Sequence, residues 1–148
     1  MSKDIALSLS EEHQRIQEMR TVLLDARDRY LAKGEERRWN LASRLLREFA
    51  SHVDRHFSFE EEEGFLVHIT QRRPLLSKRV ASLRADHEAL RNALLDLVAL
   101  VDTKSEEELR RQLIGARLNA ILSRLQAHER EENALMQEAF QQEFGTDD

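Results

Sequence analysis

Cysteine is absent from the 148 residues, so the chain has no disulfide, no thiolate ligand and no sulfur nucleophile. Any metal it holds is bound through nitrogen and oxygen, which points away from iron-sulfur, cysteine-zinc and blue-copper sites. One Pro and four Gly are too few for the turns of a sandwich or barrel. No apolar run reaches bilayer length, and Met1–Ser10 lacks a basic segment followed by an apolar one. A soluble, cytoplasmic protein with no membrane partner is expected. The formal charge is -5 with both signs interspersed, which leaves no basic stripe for phosphates, so nucleic acid is not an expected partner.

What remains is the composition of amphipathic helices: 41% hydrophobic and 34% charged residues. The expected fold class is all-α, and 148 residues suit one domain spanning 1–148. The first helix is predicted from about Leu9 to about Ala32, with Ser8 and Glu11 at capping-box spacing and Gly34 as its C-cap. Its inward face reads Leu9, His13, Ile16, Met19, Leu23, Ala26, Tyr30. The second is predicted from about Glu35 to about Thr70, with a kink or fray near Gly64 and a face of Ala42, Leu45, Phe49, His52, His56, Glu60. The third starts at Pro74 and runs to about Val101 through Leu76, Val80, Leu83, His87, Leu90, Leu94. The fourth, behind a Ser105/Glu108 capping box, runs from about Glu106 to about Phe144 through Ile114, Leu118, Ile121, Leu125, His128, Glu132, Leu135. Short connections predict an up-down-up-down four-helix bundle. Tyr30 and Trp39 read as packing residues near the first turn.

Polar residues interrupt these seams in a pattern. His56 with Glu60, and His128 with Glu132, are each four apart and rise on one helix face. His13 and His87 stand alone on the other two helices. His13 and His56 each lie about 20 residues from the first turn, roughly 30 Å down their helices, whereas His87 and His128 differ in height by about 12 Å. The layer above them reads Ile16, Phe49, Leu90, Leu125, with His52 among them, and the two glutamates form the floor.

A buried ionised carboxylate costs several kcal/mol, roughly, unless it is paired. Four His and two Glu without a Lys or Arg on their own seam therefore call for cations. Two divalent ions, two carboxylates and one bridging hydroxide come close to neutrality, and the donor set exceeds what a single ion commonly takes. The plainer alternatives are four satisfied core histidines and glutamates solvated within the acidic runs Glu60 to Glu63 and Glu129 to Glu132. Glu61, Glu62, Glu63, Glu129 and Glu131 are expected at the surface, with Glu61 the first exception. His52 is either an extra ligand or a pocket residue, and His68 faces solvent.

At these residues the chain resembles the hemerythrin-like superfamily, in particular its HHE cation-binding branch. The motif order His, His-x-x-x-Glu, His, His-x-x-x-Glu is matched by His13, His56 with Glu60, His87, and His128 with Glu132. The local runs His56-Phe57 with Glu60-Glu61, and Asp86-His87-Glu88-Ala89-Leu90, agree as well. The resemblance implies two non-heme iron ions, oxo- or hydroxo-bridged, with terminal histidines and bridging Glu60 and Glu132. It also implies a small diatomic or peroxide ligand: oxygen, peroxide or nitric oxide, bound and reduced or sensed. An iron- or oxygen-sensing module without turnover is the alternative. The oxygen carriers of the superfamily have His-x-x-x-His on the third helix and an Asp five residues after the last His. Here the third helix has only His87 and the later position is Asn133, which argues against a reversible carrier.

Overall fold

The computed structural model describes residues 2–33, 36–102 and 108–145, with side chains for 6–29, 40–102 and 108–140. Four long helices carry the chain: α1 (Ser2–Lys33), α2 (Glu36–Glu62), α4 (Ser77–Asp102) and α5 (Glu108–Gly145). A short α3 (Phe65–Arg72) and a 3-10 turn (Pro74–Leu76) lie between α2 and α4. Among the described residues there is no strand. Each long helix packs against two neighbours, α1 on α2 and α5, and α4 on α2 and α5, the ring of contacts of an up-down-up-down bundle. Among the described residues no helix is long and apolar enough to cross a membrane.

Three predicted boundaries change, one of them the start of the third helix, where Pro74–Leu76 form a 3-10 turn and α4 begins at Ser77. Ser8 and Glu11 do not cap the first helix, because α1 already starts at Ser2. No Gly or Pro lies between Ser2 and Ser8, so nothing there stops helical hydrogen bonding from reaching further back. The second helix is not continuous to Thr70. It ends at Glu62, where the N–H groups of Glu63 and Gly64 both donate to the Phe59 carbonyl, at 2.9 and 2.7 Å. The expected C-cap at Gly34, the Ser105/Glu108 capping box and the packing of Tyr30 and Trp39 fall outside the described residues.

Gly64 is needed at this break by close approach. A Cβ there would sit 2.7 Å from the Glu60 Cα and 3.1 Å from the Phe59 carbonyl oxygen, so the backbone carrying Glu60 would have to move. Gly64→Ala is expected to destabilise the fold by about 1–3 kcal/mol and to weaken metal binding with it. Urea denaturation and metal titration measure the two effects, and a silent substitution on both would contradict this reading.

Behind the break, α3 turns Phe65, Leu66 and Ile69 inward, and Pro74 opens the 3-10 turn at its first position, where its missing N–H is not needed. On α2 the buried seam is Leu46, Phe49, Val53, His56, Phe57 and Glu60. Phe49, His56 and Glu60 lie in it as predicted, while Leu46 and Val53 take the places predicted for Leu45 and His52, which with Ala42 are only half-buried. The apolar core divides in two. One cluster contains Ile16, Phe49, Val53, Leu90 and Leu125. The other contains Leu9, Leu66, Ile69, Leu83, Leu135 and Phe140. The polar residues of the four helices fall between them.

Candidate metal centre

That intervening layer brings together all six residues of the His and His-x-x-x-Glu pattern. His13, His56, Glu60, His87, His128 and Glu132 are all buried. On α2 the four-residue spacing puts His56 Nε2 3.2 Å from Glu60 Oε1, and on α5 it puts His128 Nε2 2.6 Å from Glu132 Oε1. His87 reaches across from α4, with Nε2 3.4 Å from the same Glu60 oxygen. The rings of His87 and His128 are 4.8 Å apart and those of His13 and His56 5.9 Å. The height mismatch predicted between the third and fourth helices is therefore absorbed in their packing.

Two donor groups result. Glu60, His87, His128 and Glu132 each present an atom within 4.8 Å of the others, and so do His13, His56 and Glu132. Glu132 belongs to both. His52 and His68 belong to neither.

Among the described residues no hydrogen bond satisfies these inward atoms. Both nitrogens of His13, the Nε2 atoms of His56, His87 and His128, and all four oxygens of Glu60 and Glu132 are buried without a hydrogen-bond partner. Orphaned buried polar groups on this scale are costly, and carboxylate and imidazole donors facing one another are what a divalent cation resolves. The residues therefore fit metal cations.

The outward faces of the rings are supported differently. His87 Nδ1 lies 3.1 Å from Glu61 Oε1, and His128 Nδ1 lies 3.4 Å from Asp86 Oδ2. His56 Nδ1 lies 3.5 Å from Glu12 Oε2. At His87 and His128 the carboxylate within hydrogen-bond reach of Nδ1 favours the tautomer that carries its proton there, leaving Nε2 free for a metal, whereas His56 Nδ1 has no hydrogen-bond partner. Glu61 is itself held by Arg91, whose guanidinium reaches both of its oxygens at 3.1–3.2 Å and Asp54 at 2.8 Å. Burial pushes the Glu61 carboxyl up, but hydrogen bonds from Arg91 and His87 and the Arg91 charge outweigh it and hold the group below its ordinary range. Phe57, fully buried, stacks on His87 with ring centroids 4.0 Å apart. Arg91→Ala and Glu61→Gln are expected to lower metal affinity about 10- to 100-fold without emptying the centre at saturating metal. Competition against a chelator measures this, and unchanged affinity in both would contradict it.

Sequence reasoning reached Glu61 only as an exception and missed Glu12 and Asp86, whose positions directly before His13 and His87 are the only signal. It placed Glu129 at the surface, and this is corrected: Glu129 is buried, because it continues the Leu118, Leu122, Leu125 seam at a spacing of four. Burial raises its carboxyl to about 7, against the opposing charge of Arg20.

Burial lowers His13 to about 4, opposed by Asn133 beside it, and lowers His56 to about 3, aided by the neighbouring histidines. It raises Glu132 to about 8, and it raises Glu60 well above its ordinary value with the nearby Glu132 charge adding to the effect. The two kinds of shift act in opposite directions on the metal-free protein. A raised carboxyl contributes fully below its ordinary 4.5 and is lost as pH rises through about 8; the depressed histidines contribute fully above their ordinary 6.5 and are lost as pH falls through about 4 and 3. Metal-free protein is thus most stable where these slopes cross, between 4.5 and 6.5, and weakens on both sides. Bound cations replace the protons on Glu60 and Glu132, so the melting-temperature gain from metal should grow from about pH 6 to about pH 8. A gain that shrinks over that range would contradict the assignment.

Taken together, the geometry defines a helical bundle with a buried His/Glu cluster fitted to cations. The chain belongs to the family described as the hemerythrin HHE cation binding domain, which it matches over residues 5–140. No curated protein and no solved structure matched it in the corresponding comparisons.

Proposed function

We propose that this protein is a non-heme di-iron protein that binds a small oxidant, oxygen, peroxide or nitric oxide, and reduces or senses it. The observation that carries this reading is the pair of donor groups sharing Glu132. One group would hold an ion through His13, His56 and Glu132, and the other through His87, His128, Glu60 and Glu132. When bound, a pair of irons supplies redox change and Lewis acidity next to a coordination position left open by the protein donors.

The chain's own residues prepare that place. Glu60 and Glu132 would balance cationic charge, and Glu132, the donor common to both groups, would be shared between the two ions. Glu61 and Asp86 hold protons on the outward Nδ1 atoms of His87 and His128 and so keep their Nε2 atoms available. Ile16, Phe49, Leu90 and Leu125, all buried, keep water off one side. Asn133 stands five residues after the last His, and the residue four after His87 is Arg91, committed to Glu61 and Asp54. Neither adds a ligand of the kind the oxygen carriers use.

Metal analysis combined with an optical spectrum, with and without oxygen and azide, tests the proposal. Close to two irons per chain and charge-transfer absorption sensitive to azide are expected. Metal content near zero after iron reconstitution would end it, and zinc or manganese in place of iron would end its redox part.

A second reading is favoured by the donors coming from all four long helices: occupancy then sets helix packing, and a partner reads the surface. Peroxide turnover by the iron-loaded protein supports the enzyme. A large melting shift without turnover supports the sensor.

A further inference from the structure

Just outside the buried cluster, on the seam between α1 and α2, Glu12 Oε2 lies 3.2 Å from His52 Nε2 and 3.5 Å from His56 Nδ1. Two donors binding one ion at about 2.0–2.2 Å stand about 3.0–3.4 Å apart, so the spacing of the first pair is that of a shared ion. The side chains grade inward: Glu12 is 31% exposed, His52 15% and His56 3%. Neither His52 Nε2 nor His56 Nδ1 has a hydrogen-bond partner. His56 therefore presents an unsatisfied buried nitrogen to this outer pair, while its Nε2 faces Glu60 in the inner cluster.

We propose that Glu12 and His52 form an outer capture site for a divalent transition-metal cation, which passes to the buried centre by way of His56. The proposal rests on the reading of the inner cluster as a metal centre. The inner donors are wrapped by apolar side chains and by helix, and an ion cannot shed its whole hydration shell in one step without a large penalty. A half-exposed carboxylate and imidazole strip part of that shell at the surface. With two protein donors, joined by the His56 nitrogen and by water, the outer site binds weakly enough to release the ion. The His56 ring stands in the wall between the two sites with one nitrogen on each side, so turning it carries the ion across without loss of imidazole ligation.

Loading of metal-free protein with Co2+ at fixed neutral pH, followed by stopped-flow absorption of the bound ion, tests the proposal. His52→Gln and Glu12→Gln should each slow loading about tenfold or more, with little further slowing in the double variant, because both residues act at one step. Neither Glu12 nor His52 gives an atom to the inner donor groups, so the final number of ions per chain and the melting temperature of the loaded protein should match wild type. In crystals of protein whose centre is already filled, a Zn2+ soak should give an anomalous peak between Glu12 and His52. Unchanged loading rates in both single variants would overturn the proposal while leaving the inner centre standing. Loss of a bound ion at equilibrium in His52→Gln would also overturn it, because His52 would then be a ligand of the centre itself. Wild-type protein that takes up no ion would overturn the inner reading and this one together.

Discussion

Glu132→Gln is expected to empty the centre of both ions, whereas His13→Ala removes only one. The asymmetry follows from geometry: Glu132 is the donor common to both groups, and His13 belongs to one. A second effect has the opposite sign. Glu132 is fully buried and its carboxyl is raised to about 8, so in metal-free protein above that pH it is an uncompensated buried charge. The isosteric amide removes that charge. Metal-free Glu132→Gln should therefore be at least as stable as wild type under alkaline conditions, while its melting temperature no longer responds to metal. Elemental analysis and paired melts read both effects. Retention of two ions by Glu132→Gln would show that this carboxylate does not bridge.

Phe57→Ala is expected to produce the largest loss of stability of any single truncation near the centre, about 3–5 kcal/mol. The ring is fully buried within the larger apolar cluster. It stacks on His87 at 4.0 Å with planes 11° apart and meets His128 edge-on at 5.4 Å. The Arg91 guanidinium lies over it, 5.6 Å from the ring centroid. Truncation leaves a cavity and at the same time frees two imidazoles whose orientation the metal needs. Phe57→Leu refills most of the volume without the flat face, so it should recover much of the stability but less of the affinity. Urea denaturation of metal-free protein and chelator competition separate the two. A loss below about 1 kcal/mol for Phe57→Ala would mean that the site collapses around the gap.

Much of this arrangement is visible in the chain before any coordinates. Helical seams that turn polar at His13, His56, Glu60, His87, His128 and Glu132, with His52 one turn away, bring those six together in one layer, because helix pitch fixes their height and face. The third helix is legible almost residue by residue, from Leu76 to Val101, since its leucines repeat without ambiguity. The second is less so. Leu45 and Leu46 are adjacent, and only packing against α1 and α4 chooses Leu46, which moves the seam to Val53 and leaves His52 at the margin. Ser8 looked like a cap because it has the right neighbours, but a cap matters only where helix propensity fails, and it does not fail there. The break near Gly64 is expected as a kink or fray, and the close approach to Glu60 adds why glycine is required there. Glu12 and Asp86 are given no role by the pattern, and Glu61 is reached only as an exception, for a simpler reason. Each sits on a charged face, and its role depends on which way an imidazole on another turn or another helix points its second nitrogen. Glu129 was hidden by the acidic run around it, although counting four from Leu125 places it inside.

The most direct test of the metal centre is a crystal structure of iron-loaded protein with diffraction recorded on both sides of the iron absorption edge. Two anomalous peaks should lie inside the layer, both next to Glu132, one among His13 and His56 and the other among His87, His128 and Glu60. A single peak, or peaks only outside that layer, would contradict it.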